Sequence, residues 1–402
     1  MSSLKHCIWL ANLSGLSAVN AGRLLEHFGT AENVFNASDS DFVGIENLRT
    51  RGPVRPDRKT FEKASAILAT CEQKQFKVLT LHDNDYPERL KNIYDPPIVL
   101  YVHGTMPNID EEPVVSIVGT RRCTPYGVQA AENIAFTLSQ SGIIVVTGLA
   151  LGIDTAASVG ALRGERATLG VIGSGLDVIY PPANRKLFSD VAHRGAVISE
   201  YPPGTAPLTH NFPARNRILS GLSLGVLLIE APQKSGALIT AARALEQGRD
   251  VFVLPGNVNA EACVGSNLLL RDGAIPVLSA DDIISEYEQL FPDKIFSREQ
   301  SDESVNKGDV KDKVVTSNKT GNIKNIDNST QMNYIDLGKL LDSLSGDERV
   351  VVSTIGHDTM HVDDIIIKSK LPANQVLTAL TMLEINGSII SDGSKYFKLQ
   401  IN

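Results

Sequence analysis

Cysteine is scarce: Cys7, Cys71, Cys123 and Cys263 are the whole complement of a 402-residue chain, and they stand far apart. No two form a CxxC pair and no spacing suits a metal. That sets aside a disulfide framework and a zinc site, and leaves free thiols in a reducing compartment. Long apolar runs are missing too, none reaching the roughly 20 residues of a membrane span. Met1 to Leu10 lacks the apolar stretch of a signal peptide, so a cytoplasmic protein without membrane partners is expected. Positive charge is not in excess either. A net charge of −8 argues against indiscriminate DNA binding, yet leaves room for a local basic groove. The field in a cleft depends on the charges around it and on screening.

What the chain does hold is enough apolar content, 42%, for real cores, and length for about two to four domains. Between residues 112 and 260, six apolar strand-like runs are each followed by a glycine-containing or basic turn. The turns read Val118-Gly119-Thr120-Arg121-Arg122, Thr147-Gly148-Leu149-Ala150-Leu151-Gly152, Gly173-Ser174-Gly175, Phe212-Pro213-Ala214-Arg215-Asn216-Arg217, Lys234-Ser235-Gly236 and Pro255-Gly256. A parallel α/β sheet gathers such turns along one edge, where backbone N–H groups and helix N-termini face a ligand. Six of them, with cations interleaved, point to an extended polyanion such as a nucleic-acid backbone.

The runs Val114–Val118, Ile143–Val146, Thr168–Ile172, Ala196–Ser199, Val226–Ile229 and Asp250–Leu254 alternate with helical stretches such as Gln129–Gln140 and Ala237–Gln247. This alternation predicts an α/β, doubly wound sheet with helices on both faces. Lys77–Leu81 and Ile98–Val102 can add edge strands to it. Ahead of it, Leu13-Ser14-Gly15-Leu16-Ser17 and the glycine-ended helix Ala21–Gly29 outline a helix-hairpin-helix, with Ser17 where such a hairpin usually has its second glycine. That departure favours a structural or protein-contact role. The polar stretch from Ser297 to Asn333 reads as a flexible linker. Beyond it, a helix marked by Leu337, Leu340, Leu341 and Leu344, helices at Val362–Ser369 and Ala373–Ile385, and a hairpin of Ser388–Ser391 with Lys395–Leu399 describe a winged helix-turn-helix. Its third helix has no Lys or Arg, which favours an accessory or protein-contact role over base reading. The expected domains are 1–75 helical, 76–295 the sheet core, 296–333 the linker and 334–402 the winged helix.

Gly119 allows a tight turn from which Arg121, and less directly Arg122, reach a phosphate. Gly173, Ser174 and Gly175 offer amide N–H groups and a hydroxyl. Tyr180 supplies a ring for base stacking, and Arg185 with Lys186 two cations; a rigid loop with a packed tyrosine fits the same residues. Arg215 and Arg217 sit near a helix start made by Pro213. One of the pair is expected to be structural and one ligand-facing, with Glu200, Glu230 or a bound phosphate as the offsetting anion. Lys234 with Ser235 and Gly236 resembles half a P-loop but lacks the GxxxxGK[ST] spacing, so nucleotide hydrolysis is not supported. Asp154, Asp177, Glu200 and Glu230 at strand ends could do acid–base work, but capping and arginine pairing fit better, since no nucleophile, histidine partner or metal set accompanies them. No catalytic residue, cofactor or metal is therefore expected. Leu268, Leu269 and Leu270 read as a dimer surface or as an ordinary core helix.

Together these strings resemble the DprA (Smf) family of DNA-processing proteins. The match runs through Ser116–Arg121, Thr147–Asp154, Gly173–Asp177, Ile198–Pro202, Phe212–Arg217, Lys234–Ala242 and Gly248–Gly256, with Asp85-Tyr86-Pro87 and Asp95-Pro96-Pro97 as lead-in. The resemblance implies an extended Rossmann-like core that dimerises, a SAM-like helical domain and a winged helix, without enzymatic turnover. It implies a cytoplasmic protein that binds and protects incoming single-stranded DNA in natural transformation. It further implies loading of RecA recombinase for homologous recombination, past single-strand-binding protein. By motif, Gly119, Arg121, Gly173, Ser174, Gly175 and Lys234 would line the DNA pocket. Two places depart from the family. Ala157-Ser158 stands where an Ala-His pair is common, and Pro182 where relatives offer a cation that Arg185 or Lys186 would replace. The competing readings are a phosphoribohydrolase-like nucleotide enzyme, whose PGGxGTxxE signature Pro255–Glu261 does not reproduce, and a ligand-sensing transcription regulator.

Overall fold

Short aliphatic and β-branched runs, too brief for helices and apolar at successive positions, assemble into one nine-stranded sheet. The computed structural model describes residues 2–13, 16–42, 45, 60–296, 346–355, 360–369, 371–385, 389–391 and 396–399. Contacts divide the chain into two units, Met1–Val310 and Lys311–Asn402.

In the first unit, helices α1 (Ser2–Ala11), α2 (Ala18–Phe28), α3 (Ala31–Asn36) and α4 (Glu62–Gln73) precede strand β1 (Lys77–Thr80), the short α5 (Glu88–Lys91) and β2 (Val99–Gly104). Strict alternation follows: β3 (Val114–Val118), α6 (Pro125–Gln140), β4 (Ile144–Thr147), α7 (Ile153–Arg163), β5 (Thr168–Ile172), α8 (Arg185–Arg194), β6 (Ala196–Ser199) and α9 (Asn211–Leu222). The run ends with β7 (Gly225–Leu228), α10 (Gly236–Glu246), β8 (Asp250–Val253), α11 (Val264–Arg271), β9 (Ile275–Pro276) and α12 (Asp281–Tyr287). The spatial order is β1-β2-β6-β5-β4-β3-β7-β8-β9. From β6 to β9 every pairing is parallel, while β2 runs antiparallel to β6 and β1 to β2, as edge strands.

That order decides where a ligand belongs. The chain starts in the middle at β3, winds outward through β4, β5 and β6, then returns to lay β7 against β3, with Val115 opposite Gly225 and Val118 opposite Leu228. Between β3 and β7 the winding direction reverses, which opens a crevice outside the carboxyl ends of those two strands.

Both faces are covered. Val115, Ile117, Val145 and Leu227 turn toward α6, α7 and α12, packing on Ala131, Ala135, Leu138, Ile153, Ala157 and Ile284. Their neighbours Val114, Val118, Ile144 and Val146 face the other way, in the cluster that holds Val191, Ile218, Leu219, Ala241 and Ala244. Each fully buried aliphatic side chain contributes about 1.5–3 kcal/mol. Ser116 in the middle of β3 is 0% exposed and is satisfied by Leu219 O at 3.0 Å and Ser223 Oγ at 2.8 Å. It ties α9 to the sheet at the cost of no orphaned hydroxyl.

The N-terminal helices share that second cluster, through Cys7, Ile8, Leu10, Leu24, Ala64 and Ile67. Ser17, where a second hairpin glycine was expected, caps α2 by accepting from Asn20 N at 3.3 Å, and Gly29 closes that helix at φ +77°. Ser14 and Gly15 lie outside the described residues.

In the second unit, α13 (Gly346–Ile355), α14 (Val362–Ser369) and α15 (Ala373–Ile385) pack around Val351, Val352, Ile365, Leu380 and Leu383. Three antiparallel strands, β10 (Met360–His361), β11 (Ile389–Ser391) and β12 (Tyr396–Leu399), lie in the order β10-β12-β11. This is a winged helix, and its last two helices fall where the periodicity predicts. Its first described helix is not the leucine-marked one. Leu337, Leu340, Leu341 and Leu344 lie outside the described residues, as does the expected linker apart from Phe296. Among the described residues no helix is long and apolar enough to cross a membrane.

Candidate nucleic-acid interface

At the carboxyl end of β3 the chain turns at Gly119, where a Cβ would lie 2.6–2.9 Å from three atoms of Ile153. The glycine is thus required by the approach of α7. The turn is fixed by Thr120 N donating to Glu230 O at 2.7 Å and by Arg122 N donating to Thr120 Oγ1 at 3.2 Å. It carries Arg121 and Arg122, both exposed. The Arg121 guanidinium lies 5.4 Å from the centre of the Phe212 ring, and Tyr180 tilts against the same ring at 5.7 Å. Such stacking holds a cation in place without neutralising it.

Across the crevice, at the end of β7, the loop Ala231–Ser235 leads into α10. Ser235 caps that helix, accepting from Ala237 N at 3.2 Å. A Cβ on Gly236 would meet nothing within 4 Å, so no packing demand of the chain explains this glycine. Lys234 is exposed beside it. Among the described residues, none of Arg121, Arg122 and Lys234 has an ion-pair partner, whereas Lys77, Lys91, Arg166, Lys186, Arg217, Arg243, Arg271 and Lys294 all do. The three unpaired cations and the positive end of α10 converge on one cleft of about 520 Å³, with Asp154, Phe212 and Arg215 in its walls.

The two arginines of α9 separate. Arg217 is 3% exposed and turned away from the cleft, with Nη1 and Nη2 on the two Glu200 oxygens at 2.9 and 2.6 Å and Nε 3.1 Å from Asp95. Burial alone would lower its pKa; Glu200, by charge and hydrogen bonding, and Asp95 more than offset that and raise it. Its expected ligand contact is therefore corrected: this arginine is structural, and Glu200 is its anion. Arg215 is 4% exposed and stands in the cleft wall, its Nη1 donating to Val171 O while Nε has no partner. Burial pulls its pKa down to about 10, with Asp154 acting the other way. The guanidinium lies against Gly148, where a Cβ would be 2.5 Å from Nη2.

The carboxylates serve the fold. Asp154 accepts from Gly148 N at 3.1 Å and Ala150 N at 3.4 Å; burial raises its pKa, and Arg215 with these amides opposes the rise. Asp177 accepts from Gly204 N at 2.7 Å, and Glu230 from Thr124 N and Oγ1. Ser158, in the place of a family histidine, is 0% exposed and bonded to Thr147 Oγ1 at 2.8 Å.

Other expected contacts are not brought to the cleft. Gly173, Ser174 and Gly175 are buried beneath residues 202–211: Gly175 N donates to Thr205 O at 2.9 Å, Ser174 Oγ to Val178 O at 2.8 Å, and Asn211 Nδ2 caps Gly173 O at 3.0 Å. The turn that was to offer open amides follows β5, two strands from the switch point, and its groups are already used. Arg185 and Lys186 open α8, exposed but outside the cleft lining, with Lys186 paired to Asp190 at 2.6 Å. Leu268, Leu269 and Leu270 are half-buried on α11, and the last two pack on the core.

Sequence reasoning passed over two residues. Phe212 gives Arg121 its platform; its position one residue before Pro213 at a helix start was the available signal. Asn184 holds the loop after β4, donating to Leu149 O at 3.0 Å and Thr155 Oγ1 at 2.9 Å, where Leu149 adopts φ +50°. Nothing in the sequence marks it.

With the geometry in place, comparison with known proteins is direct. The family described as DNA recombination-mediator protein A matches residues 77–288, and the DprA winged helix domain matches residues 339–393. The DNA processing protein DprA of Streptococcus pneumoniae is 42% identical over 289 residues, covering 72% of this chain and 100% of that protein. The X-ray structure of DNA processing protein A from S. pneumoniae superposes with a TM-score of 0.60 at 37% identity, over 70% of this chain and 97% of that one. A structure of DNA processing protein A from Helicobacter pylori, concerned with its single-stranded DNA binding mode, is 34% identical over 54% of this chain and 96% of that one, at a TM-score of 0.49.

Proposed function

The chain belongs to the DNA recombination-mediator protein A family, the DprA/Smf DNA-processing proteins, and from that premise we propose that it binds single-stranded DNA along the cleft between β3 and β7. The observation that carries this reading is the convergence of Arg121, Arg122 and Lys234, none paired with a carboxylate among the described residues, on the N-terminus of α10. Cations left unneutralised at a helix N-terminus form a receptor for a phosphate chain. In this reading Arg121 and Arg122 grip phosphates, Gly236 and Ser235 let a phosphate reach the α10 amides, and Lys234 adds a mobile charge. Arg215 contributes field from the wall. Tyr180, 44% exposed, offers a stacking surface to an unpaired base, which a duplex would not present.

Binding without turnover is supported by the cleft's composition. No histidine or cysteine is among its described lining residues, and its one carboxylate, Asp154, is occupied by two backbone amides. Beyond the site, the proposal includes what the family implies: a homodimer that shields incoming DNA in the cytoplasm during natural transformation and loads RecA onto it, in the presence of single-strand-binding protein.

The test is fluorescence anisotropy of a labelled oligo-dT with the wild-type chain and Arg121→Glu. Reversing a charge-assisted contact is expected to weaken binding at least roughly tenfold without changing the melting temperature. A folded R121E protein with unchanged affinity would remove this turn from the interface.

A further inference from the structure

Glu230 is 1% exposed, sits just past β7 at the junction of the two cation-bearing loops, and is not itself among the residues lining the cleft. It holds the Gly119–Arg122 turn at both ends. Its backbone carbonyl accepts from Thr120 N at 2.7 Å. Its carboxylate accepts from Thr124 N at 2.9 Å and from Thr124 Oγ1 at 2.6 Å. Between these anchors lie only Arg121, Arg122 and Cys123. Thr124 Oγ1 in turn accepts from Gly127 N at 3.1 Å as the cap of α6, so its one proton is committed to Glu230. Gly127 has no side chain because the carboxylate occupies the space: a Cβ there would be 2.6 Å from Oε2.

We propose that Glu230 is the positioning residue of the DNA site, a buried clamp that sets the Arg121–Arg122 turn and fixes it relative to the Lys234–Gly236 loop. The inference rests on the single-stranded DNA reading of the cleft. Chemistry separates this role from simple electrostatics. A carboxylate near a polyanion repels it, so removing the charge alone would tighten binding. Removing a clamp weakens it, because the arginines must then be ordered at the expense of binding. A glutamine keeps only part of the clamp: with Oε1 on the Thr124 N–H, its Nε2–H₂ faces Thr124 Oγ1 and turns the hydroxyl proton away, so the charge-assisted bond is lost.

Oligo-dT anisotropy across a salt series, with melting temperatures, tests this on wild type, Glu230→Gln, Thr124→Ala and Thr124→Ser. E230Q and T124A are expected to lose roughly tenfold in affinity each, with a shallower salt dependence as phosphate contacts from the turn are lost. T124S, which keeps the hydroxyl, is expected to bind like wild type. The double variant E230Q/T124A should lose no more than either alone, because both break one link. T124A carries the test if E230Q does not fold. Folded E230Q and T124A proteins that bind as tightly as wild type or tighter, or with an unchanged salt dependence, overturn the clamp while leaving the cleft reading intact. A wild-type protein that does not bind oligo-dT overturns both.

Discussion

Two glycines on opposite walls of the cleft are there for different reasons, and single substitutions tell them apart. At Gly119 an added methyl would press within 2.9 Å of the Ile153 side chain near its root, which cannot swing away. Gly119→Ala is therefore expected to cost about 1–3 kcal/mol in chemical denaturation, the usual toll of overpacking. At Gly236 the same methyl enters open space and the backbone is not left-handed, so Gly236→Ala should stay within about 0.5 kcal/mol of wild type. Its oligo-dT affinity should nevertheless fall several-fold, because the methyl stands where a phosphate approaches the α10 amides. Equal affinity would mean that no ligand comes close there. The arginines of α9 make a related point. Arg215 and Arg217 are two positions apart, which puts them on opposite sides of a helix, and a surface helix would expose one of them. From Arg215 to Leu222 this helix is covered all round, by the sheet on one side and by Leu90 and Ile93 against Gly221 on another, so both guanidiniums are buried. Arg217 is held by Glu200 and Asp95 while Arg215 stands in the cleft wall, but the sequence could not show that both would be buried.

At the scale of elements, strand and helix positions were legible because the strands are short aliphatic or β-branched runs and the helices between them carry longer stretches with helical spacing of apolar residues, several of them alanine-rich. Thr168–Ile172, Ala196–Ser199, Val362–Ser369 and Ala373–Ile385 are found at the residues expected. Strand order was not legible, and it decides which turns form the site. Of the six expected turns, Phe212–Arg217 proves to be the opening of α9, and of the others only those after β3 and β7 flank the reversal of winding, while the Gly173–Gly175 turn after β5 is covered by the segment entering α9. Arg185 and Lys186, on α8, are displaced from the cleft for the same reason. The N-terminal helices carry a prediction of their own. Cys7 on α1 and Cys71 on α4 are 1% and 2% exposed, and burial pushes both thiols from 9.0 up to about 11. The folded state therefore holds these protons more tightly than the unfolded one. Their contribution to stability is complete below about pH 9 and is lost as pH rises through 11. Thermal melts should show a falling midpoint over that interval, and a smaller fall in Cys7→Ala/Cys71→Ala. A double variant with the wild-type slope would show that the alkaline loss arises elsewhere.

For the whole molecule, a net charge of −8 and a polyanion ligand are compatible because the positive charge is concentrated. Several described cations, such as Arg217 and Lys294, are spent on neighbouring carboxylates, while Arg121, Arg122 and Lys234 meet without one at the switch point of the sheet. Affinity should thus come from few contacts and respond strongly to salt. Within the winged helix, α15 carries Glu384 and no Lys or Arg. The most direct test of this account is the full-length protein's affinity for oligo-dT, measured against salt and compared with a duplex of the same length. Three phosphate contacts on a single strand predict that log K falls with log salt at a slope of about −2, with the single strand bound more tightly than the duplex. A folded protein that ignores salt, prefers the duplex, or leaves oligo-dT unbound at low salt would contradict it.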